Sequence, residues 1–246
     1  MLPFWIALQF LSSLPIRLPG MPEPRELGRS LLFYPLVGLL FGAILWTVNW
    51  LLLGTPTLLH AALLLSLWVL LSGGLHLDGL ADSADAWLGG FGDRERTLTI
   101  MKDPRSGPIA VVTLVLVLLL KFTALLVLIK QPHSLALIIV PLIGRSALLG
   151  LFLTTPYVRA GGLGQALADH LPRSPGKQVL AVSALACVLI AGVSGVLALV
   201  LAVLGFVWLR QVMLRRLGGT TGDTAGAMLE LLEVGVLVGL ALVCTQ

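Results

Sequence analysis

Residues 179–209 read VLAVSALACVLIAGVSGVLALVLAVLGFVWL, 31 positions without a charge. As one α-helix this run would be about 46 Å long, whereas the hydrocarbon core of a bilayer is about 30 Å thick. Its centre, Ala191-Gly192-Val193-Ser194-Gly195, carries turn-forming residues. The run therefore reads as a hairpin of two membrane arms, short enough that one could be re-entrant. The basic residues select the same reading. With a hairpin, the polar segments 17–29, 76–107, 154–178 and 210–224 share one side of the membrane and hold 13 of the 16 Lys and Arg residues. An excess of Lys and Arg marks cytoplasmic loops. A single span would instead carry Arg210, Arg215 and Arg216 to the opposite side.

The rest of the chain fits this frame. Of its 246 residues, 57% are hydrophobic and 11% charged, and the mean hydropathy is +1.00. A soluble domain carries about 25% charged residues, so a soluble globule, a disordered chain and a nucleic-acid module are excluded. Apolar blocks lie at roughly 31–53, 58–75, 108–129, 135–153, 179–209 and 225–244. With the hairpin, the fold expected is an all-α, polytopic integral membrane bundle of about seven transmembrane helices, forming a single domain over 1–246. Met1 to Ile16, broken by Pro3 and Pro15, reads as an interfacial segment. It has no basic region ahead of its apolar stretch, so a cleaved signal peptide is not expected. The net charge of +4 is accounted for by the cytoplasmic loops. Cys187 and Cys244 lie in apolar runs, without the spacing of a disulfide or a metal site.

The 12 acidic residues are unevenly placed, six of them between Asp78 and Asp103. In Gly74-Leu75-His76-Leu77-Asp78-Gly79-Leu80-Ala81-Asp82-Ser83-Ala84-Asp85, the three aspartates stand at i, i+4 and i+7 and share one helical face. Like charges that close destabilise a helix unless a cation joins them, and hard oxygen ligands suit Mg²⁺ or Mn²⁺. A solvated acidic helix end would be expected to place Lys or Arg on neighbouring faces, so the spacing favours Asp78, Asp82 and Asp85 as metal ligands. His76 is either a satisfied structural group or a base.

Further along, Lys102, Arg105, Ser106 and Gly107 form a basic loop ahead of a membrane helix, suited to phosphate or to a basic stop at the interface. The mixed charges at 93–96 read as a solvated face. Gly218-Gly219-Thr220-Thr221-Gly222-Asp223 opens a helix and could present amides to an anion, but it lacks the Gly-Lys-Ser/Thr of a nucleotide-binding P-loop. Glu230, at i+7 from Asp223, shares its face. Arg145 sits inside an apolar block and is expected to point into the bundle, paired with a carboxylate or a ligand phosphate. Tyr157 and Arg159 border the same cavity in this reading. Lys121 and Lys130 are near enough to helix ends to snorkel.

At these residues the sequence resembles the cobalamin synthase family. The likeness rests on the His76–Asp85 motif, on Ile100-Met101-Lys102-Asp103-Pro104-Arg105-Ser106-Gly107 and on Gly218 to Asp223. It extends to Phe33-Tyr34-Pro35-Leu36-Val37-Gly38 and Pro156-Tyr157-Val158-Arg159, and so covers nearly the whole chain. Ala86 departs from the family pattern, which has Gly there. The resemblance implies a membrane adenosylcobinamide-GDP ribazoletransferase of the bacterial cytoplasmic membrane, its active site facing the cytoplasm, with the lipid bilayer around it. Its implied substrates are adenosylcobinamide-GDP and α-ribazole or its 5′-phosphate, its cofactor Mg²⁺, and its products GMP and adenosylcobalamin or the 5′-phosphate. It implies catalytic roles for His76, Asp82 and Lys102, and substrate contacts by Asp103, Arg105, Ser106, Arg145, Arg159, Gly219, Asp223 and Glu230. Asp223 and Glu230 would complete the metal site or orient ribazole. The proton of the attacking hydroxyl would go to a carboxylate of the first cluster or to His76. The oligomeric state is left open, a homo-oligomer included.

Two rivals are weaker. A CDP-alcohol phosphotransferase acting on lipid would have Arg where Asp82 stands. A cation transporter would place its acids at mid-membrane on broken helices.

Overall fold

A computed structural model describes residues 1–129 and 134–244; Lys130 lies outside them, as does the side chain of Cys244. The described residues are helical: α1 (Leu2–Leu11), α2 (Pro24–Ser30), which leads through a 3₁₀ turn into α3 (Tyr34–Leu51), α4 (Thr57–Ser72), α5 (Leu75–Gly89), α6 (Arg94–Ile100), α7 (Pro108–Leu128), α8 (Ala136–Thr154), α9 (Leu163–Asp169), α10 (Arg173–Leu217) and α11 (Gly222–Cys244).

The charge-free run does fold back. Inside α10, Gly192 takes φ 55° and ψ −127°, a conformation open to glycine, and the chain reverses there. Both arms return to one level of α8: a Cβ on Gly150 would lie 3.6 Å from Phe206 and 3.8 Å from Leu180. Arg173 donates to the Leu153 carbonyl (3.0 Å) and Arg210 to that of Thr154 (2.5 Å). Five helices, or six if α4 and α5 count as one broken span, are long and apolar enough to cross a bilayer. Because α10 is two arms, the five helices supply six passes, and α4, 16 residues long, brings the number to about the seven expected.

Gly38 and Gly42, one turn apart on α3, lie directly on the α8 backbone at Pro141 and Ile138, with no space for a Cβ. Small residues at this spacing let membrane helices approach closely. The opening segment is an apolar helix whose Ala7, Leu8 and Leu11 are buried in the core shared with α3 and α8, while Trp5 stays exposed.

Between α4 and α5 the chain turns by 86°, at Gly73 and Gly74, whose φ values are 61° and 73°. α5 therefore lies across the end of the bundle, outside the membrane-spanning segments. The polar segments converge there. Gly28 abuts the His170 backbone and Gly79 that of Asp223; Arg94 donates to the Leu217 carbonyl and Arg216 to that of Trp87, both at 2.8 Å.

One expectation fails. Lys121 does not snorkel: it is 2% exposed, and its Nζ donates to Glu230 Oε2 at 2.6 Å and Glu233 Oε2 at 2.8 Å. The cause is its position, about two turns before the end of α7 and facing α11 instead of lipid. Arg145 donates to the other oxygen of Glu233 and stands 4.8 Å over the Phe41 ring. Two cations thus balance two anions in the bundle core. Removing one partner of such a buried set costs about 3–5 kcal/mol. Lys121→Met should lower the thermal stability of the protein in nanodiscs, and Lys121→Met combined with Glu230→Gln should recover most of the loss. A single variant as stable as the parent would contradict this accounting.

Candidate active site

The site is built where α5 crosses the start of α11. A Cβ on Gly79 would lie 2.8 Å from the Asp223 carbonyl oxygen and 3.0 Å from its Cα; one on Gly226 would lie 3.2 Å from the His76 Cα. Only glycine lets the two backbones touch in this way. The crossing brings Asp78 and Asp82 of α5 to Asp223 in the first turn of α11.

A second seam adds the cation. The Val158 amide donates to the Thr220 carbonyl (2.9 Å) and the Thr220 amide to that of Pro156 (2.8 Å), a short parallel bridge between two loops. Gly219 presses on the Pro156 carbonyl. Thr220, Thr221 and Thr224 are buried and bond one another, with Thr220 Oγ1 to Thr224 Oγ1 at 2.9 Å. The glycine loop is therefore fixed in place, and it delivers Arg159, whose Nη1 meets Asp223 Oδ2 at 2.7 Å.

These elements line an open cavity of about 450 Å³. Its polar wall comprises His76, Asp78, Arg159 and Asp223, and its apolar wall includes Phe10, Tyr34, Leu148, Phe152, Tyr157 and Leu167. His76 is 4% exposed and its Nδ1 has no hydrogen-bond partner. Burial, then the charges of Arg145 and Lys121, hold its imidazole well below the usual range, so it is neutral at physiological pH. Asp82 is pushed up to about 6, chiefly by burial and then by the charges of Asp78 and Asp223, with Arg159 opposing.

Asp85 is differently occupied. Its Oδ2 accepts from the Gly107 amide (2.5 Å) and its Oδ1 from that of Ala110 (3.0 Å), so it caps the start of α7, where amides lack helical partners. Among the described residues no three His, Cys, Asp or Glu side chains form a ready-made ion site. The donor set still fits magnesium, which commonly takes one or two carboxylates together with substrate phosphate and water.

The other anticipated residues fall elsewhere. Lys102, Arg105 and Ser106 are exposed between α6 and α7, tied to α5 through Gly107. Arg105 pairs with Asp103 at 2.7 Å, its side chain 87% exposed, and its hydrogen bonds hold the Asp103 carboxyl down at about 2. Arg145 and Glu230 belong to the core ion network and do not line the cavity. The stretch 93–96 is only partly a solvated face: Arg94–Glu95 is an exposed pair, but Arg94 also caps α10 at Leu217.

The profile of the cobalamin-5-phosphate synthase (CobS) family matches residues 3–241. The chain belongs to that family. Curated relatives include proteins called adenosylcobinamide-GDP ribazoletransferase from Pseudomonas fluorescens strain Pf0-1 (82% identical over 242 residues, 98% of this chain and 100% of the relative) and strain Pf-5 (79%, same coverage). A Pseudomonas putida F1 relative of that name is 73% identical over 98% of this chain and 99% of its own. No solved structure matches.

Within this member of the cobalamin-5-phosphate synthase family, sequence reasoning missed the aromatic wall. Phe10, Tyr34 and Phe152 are far apart in sequence and look like ordinary apolar residues of their helices. It also missed Asp85 as a cap, although Gly107-Pro108 is a legible helix start. A measurable consequence lies in Asp82. Carboxyl bands in infrared difference spectra should titrate near pH 6 and vanish in Asp82→Asn. Asp78→Asn should move that midpoint down and Arg159→Ala should move it up. Absence of a band titrating near 6 would contradict the electrostatics described.

Proposed function

We propose that this chain is an adenosylcobinamide-GDP ribazoletransferase that uses Mg²⁺. It joins adenosylcobinamide-GDP to α-ribazole or its 5′-phosphate, releases GMP, and yields adenosylcobalamin or its 5′-phosphate. The observation that carries the mechanism is the meeting of Asp78 and Asp223 with Arg159 on the wall of one cavity at the basic end of the bundle, with Asp82 near enough for its proton affinity to respond to all three.

The ribazole hydroxyl attacks the phosphorus nearest cobinamide; a new P–O bond forms there as the bond to GMP breaks. Asp78 and Asp223, both lining the cavity, would hold Mg²⁺. That ion would neutralise diphosphate charge and stabilise the departing GMP. Arg159, now on Asp223, can exchange that carboxylate for a phosphate oxygen, which leaves Asp223 free. Asp82, with its proton affinity near neutrality, suits the role of proton acceptor for the attacking hydroxyl. Its carboxylate form is present above about pH 6, so turnover should fall as pH drops through that value. Lys102 and Arg105, on the exposed loop beside Asp85, are suited to hold the nucleotide side of the substrate by charge.

The Lys- and Arg-rich end faces the cytoplasm in this reading, in the inner membrane of a bacterium. The transporter alternative loses its support, because Glu230 and Glu233 within the bundle are already neutralised by Lys121 and Arg145.

Protein in nanodiscs, given both substrates and Mg²⁺, should release GMP only when both are present, and chelation should stop it. Asp82→Asn should lose at least about 10²-fold in turnover with an unchanged unfolding temperature. Near-normal GMP release by that variant would overturn the assignment.

A further inference from the structure

The cavity has two chemically distinct walls, and they differ by element. The carboxylates and His76 come from α5 and α11, with Arg159 from the adjoining loop. The opposite surfaces come from α1, α3, α8 and α9, with Tyr157 of that same loop, and carry aromatic and aliphatic groups. Two ring pairs stand there: Phe10 with Tyr34 (centroids 6.4 Å apart, planes at 21°) and Phe152 with Tyr157 (6.0 Å, 18°). Leu148 and Leu167 fill the space beside them. Such a wall takes a flat apolar ring by burial and stacking.

On the reading given under Proposed function, two bodies must meet here. The corrin with its adenosyl group is several times larger than a 450 Å³ space and cannot be enclosed. Three flat bases remain, guanine, the adenine of the adenosyl group and the base of α-ribazole. Guanine carries polar atoms around its edge, and burying them without partners is costly. Adenine, with its amino group and ring nitrogens, meets the same objection. The apolar wall offers either one little: the Phe and Leu side chains have no polar atoms, Tyr34 is already bonded to Ser30, and Tyr157 to the backbone at Gly222 and Gly164. The α-ribazole base is a fused bicyclic ring with methyl substituents and no exocyclic polar group. It matches this wall.

We infer that this cavity is the binding pocket of the acceptor nucleoside, its bicyclic base against Phe10, Tyr34, Phe152 and Tyr157 and its sugar toward the polar wall, while adenosylcobinamide-GDP reaches that wall from outside. His76 lies in the same wall, two residues before Asp78.

The test separates this inference from the reading on which it rests. Wild-type protein in nanodiscs, without metal or the second substrate, is titrated with α-ribazole by calorimetry, with guanosine as competitor. α-Ribazole should bind alone and guanosine should not displace it. Leu167→Trp, which fills the apolar half, should raise the KM for α-ribazole at least tenfold and leave that for adenosylcobinamide-GDP within twofold. The inference is overturned if α-ribazole binds only together with adenosylcobinamide-GDP, if guanosine competes equally, or if Leu167→Trp changes the KM for adenosylcobinamide-GDP alone. Should Leu167→Trp fail to accumulate, the wild-type competition decides by itself. If wild-type protein binds α-ribazole yet never releases GMP with both substrates and Mg²⁺, the proposed reaction fails while the pocket stands.

Discussion

Everything at the polar end depends on the backbone crossing of α5 and α11. Carboxylates repel one another, and no helix would gather Asp78, Asp82 and Asp223 for the sake of stability. Their proximity follows from two positions without side chains: Gly79, where the helices approach closer than a Cβ permits, and Gly226, where one would be tightly packed. The energy that holds the crossing comes from elsewhere: from Leu80, Val117, Ala227 and Val234, packed below it, and from the α7 start tethered by Asp85. Asp82 shows the cost in its raised proton affinity. Strained electrostatics of this kind concentrate at functional sites.

The same chain handles charge in the opposite way inside the membrane. Glu230 and Glu233 also lie on α11, about two and three turns further into the bundle than Asp223, yet Lys121 and Arg145 neutralise them fully. Lipid and buried protein leave no water to solvate an unpaired charge. At the end of the bundle, water and substrate can reach the acids, so part of their charge is left open for use. One helix thus carries a structural acidic pair and a reactive acid, and the difference between them is depth.

How much of this was readable in advance follows the same division. The hairpin was legible because 31 uncharged residues exceed a bilayer and the basic residues had to share a side. The aspartate face of α5 was legible from its i, i+4, i+7 spacing. The division of labour along that face was not: Asp85 turns to the amides of Gly107 and Ala110, a contact 22 residues away that no local period encodes. Lys121 was misjudged because a lysine in an apolar run gives no sign of what faces it. The partner of Arg145 could be narrowed to a carboxylate or a phosphate, and choosing between them needed the packing of α8 on α11. Of the aromatic wall only Tyr157 was legible, through its place beside Arg159; Phe10, Tyr34 and Phe152 come from three separate helices and nothing in the sequence joins them.

The most direct test of the crossing is to widen it. Gly79→Val places two methyl groups where the Asp223 backbone lies, whereas Gly235→Ala on the same helix meets nothing within 4 Å. Displacements of about 1 Å at a reacting centre can cost about 10²-fold. GMP release measured for both variants should fall by that order in Gly79→Val and stay at the parental rate in Gly235→Ala. Parental turnover by Gly79→Val would mean that the carboxylates do not need α5 seated on α11, and the account of this site would be wrong.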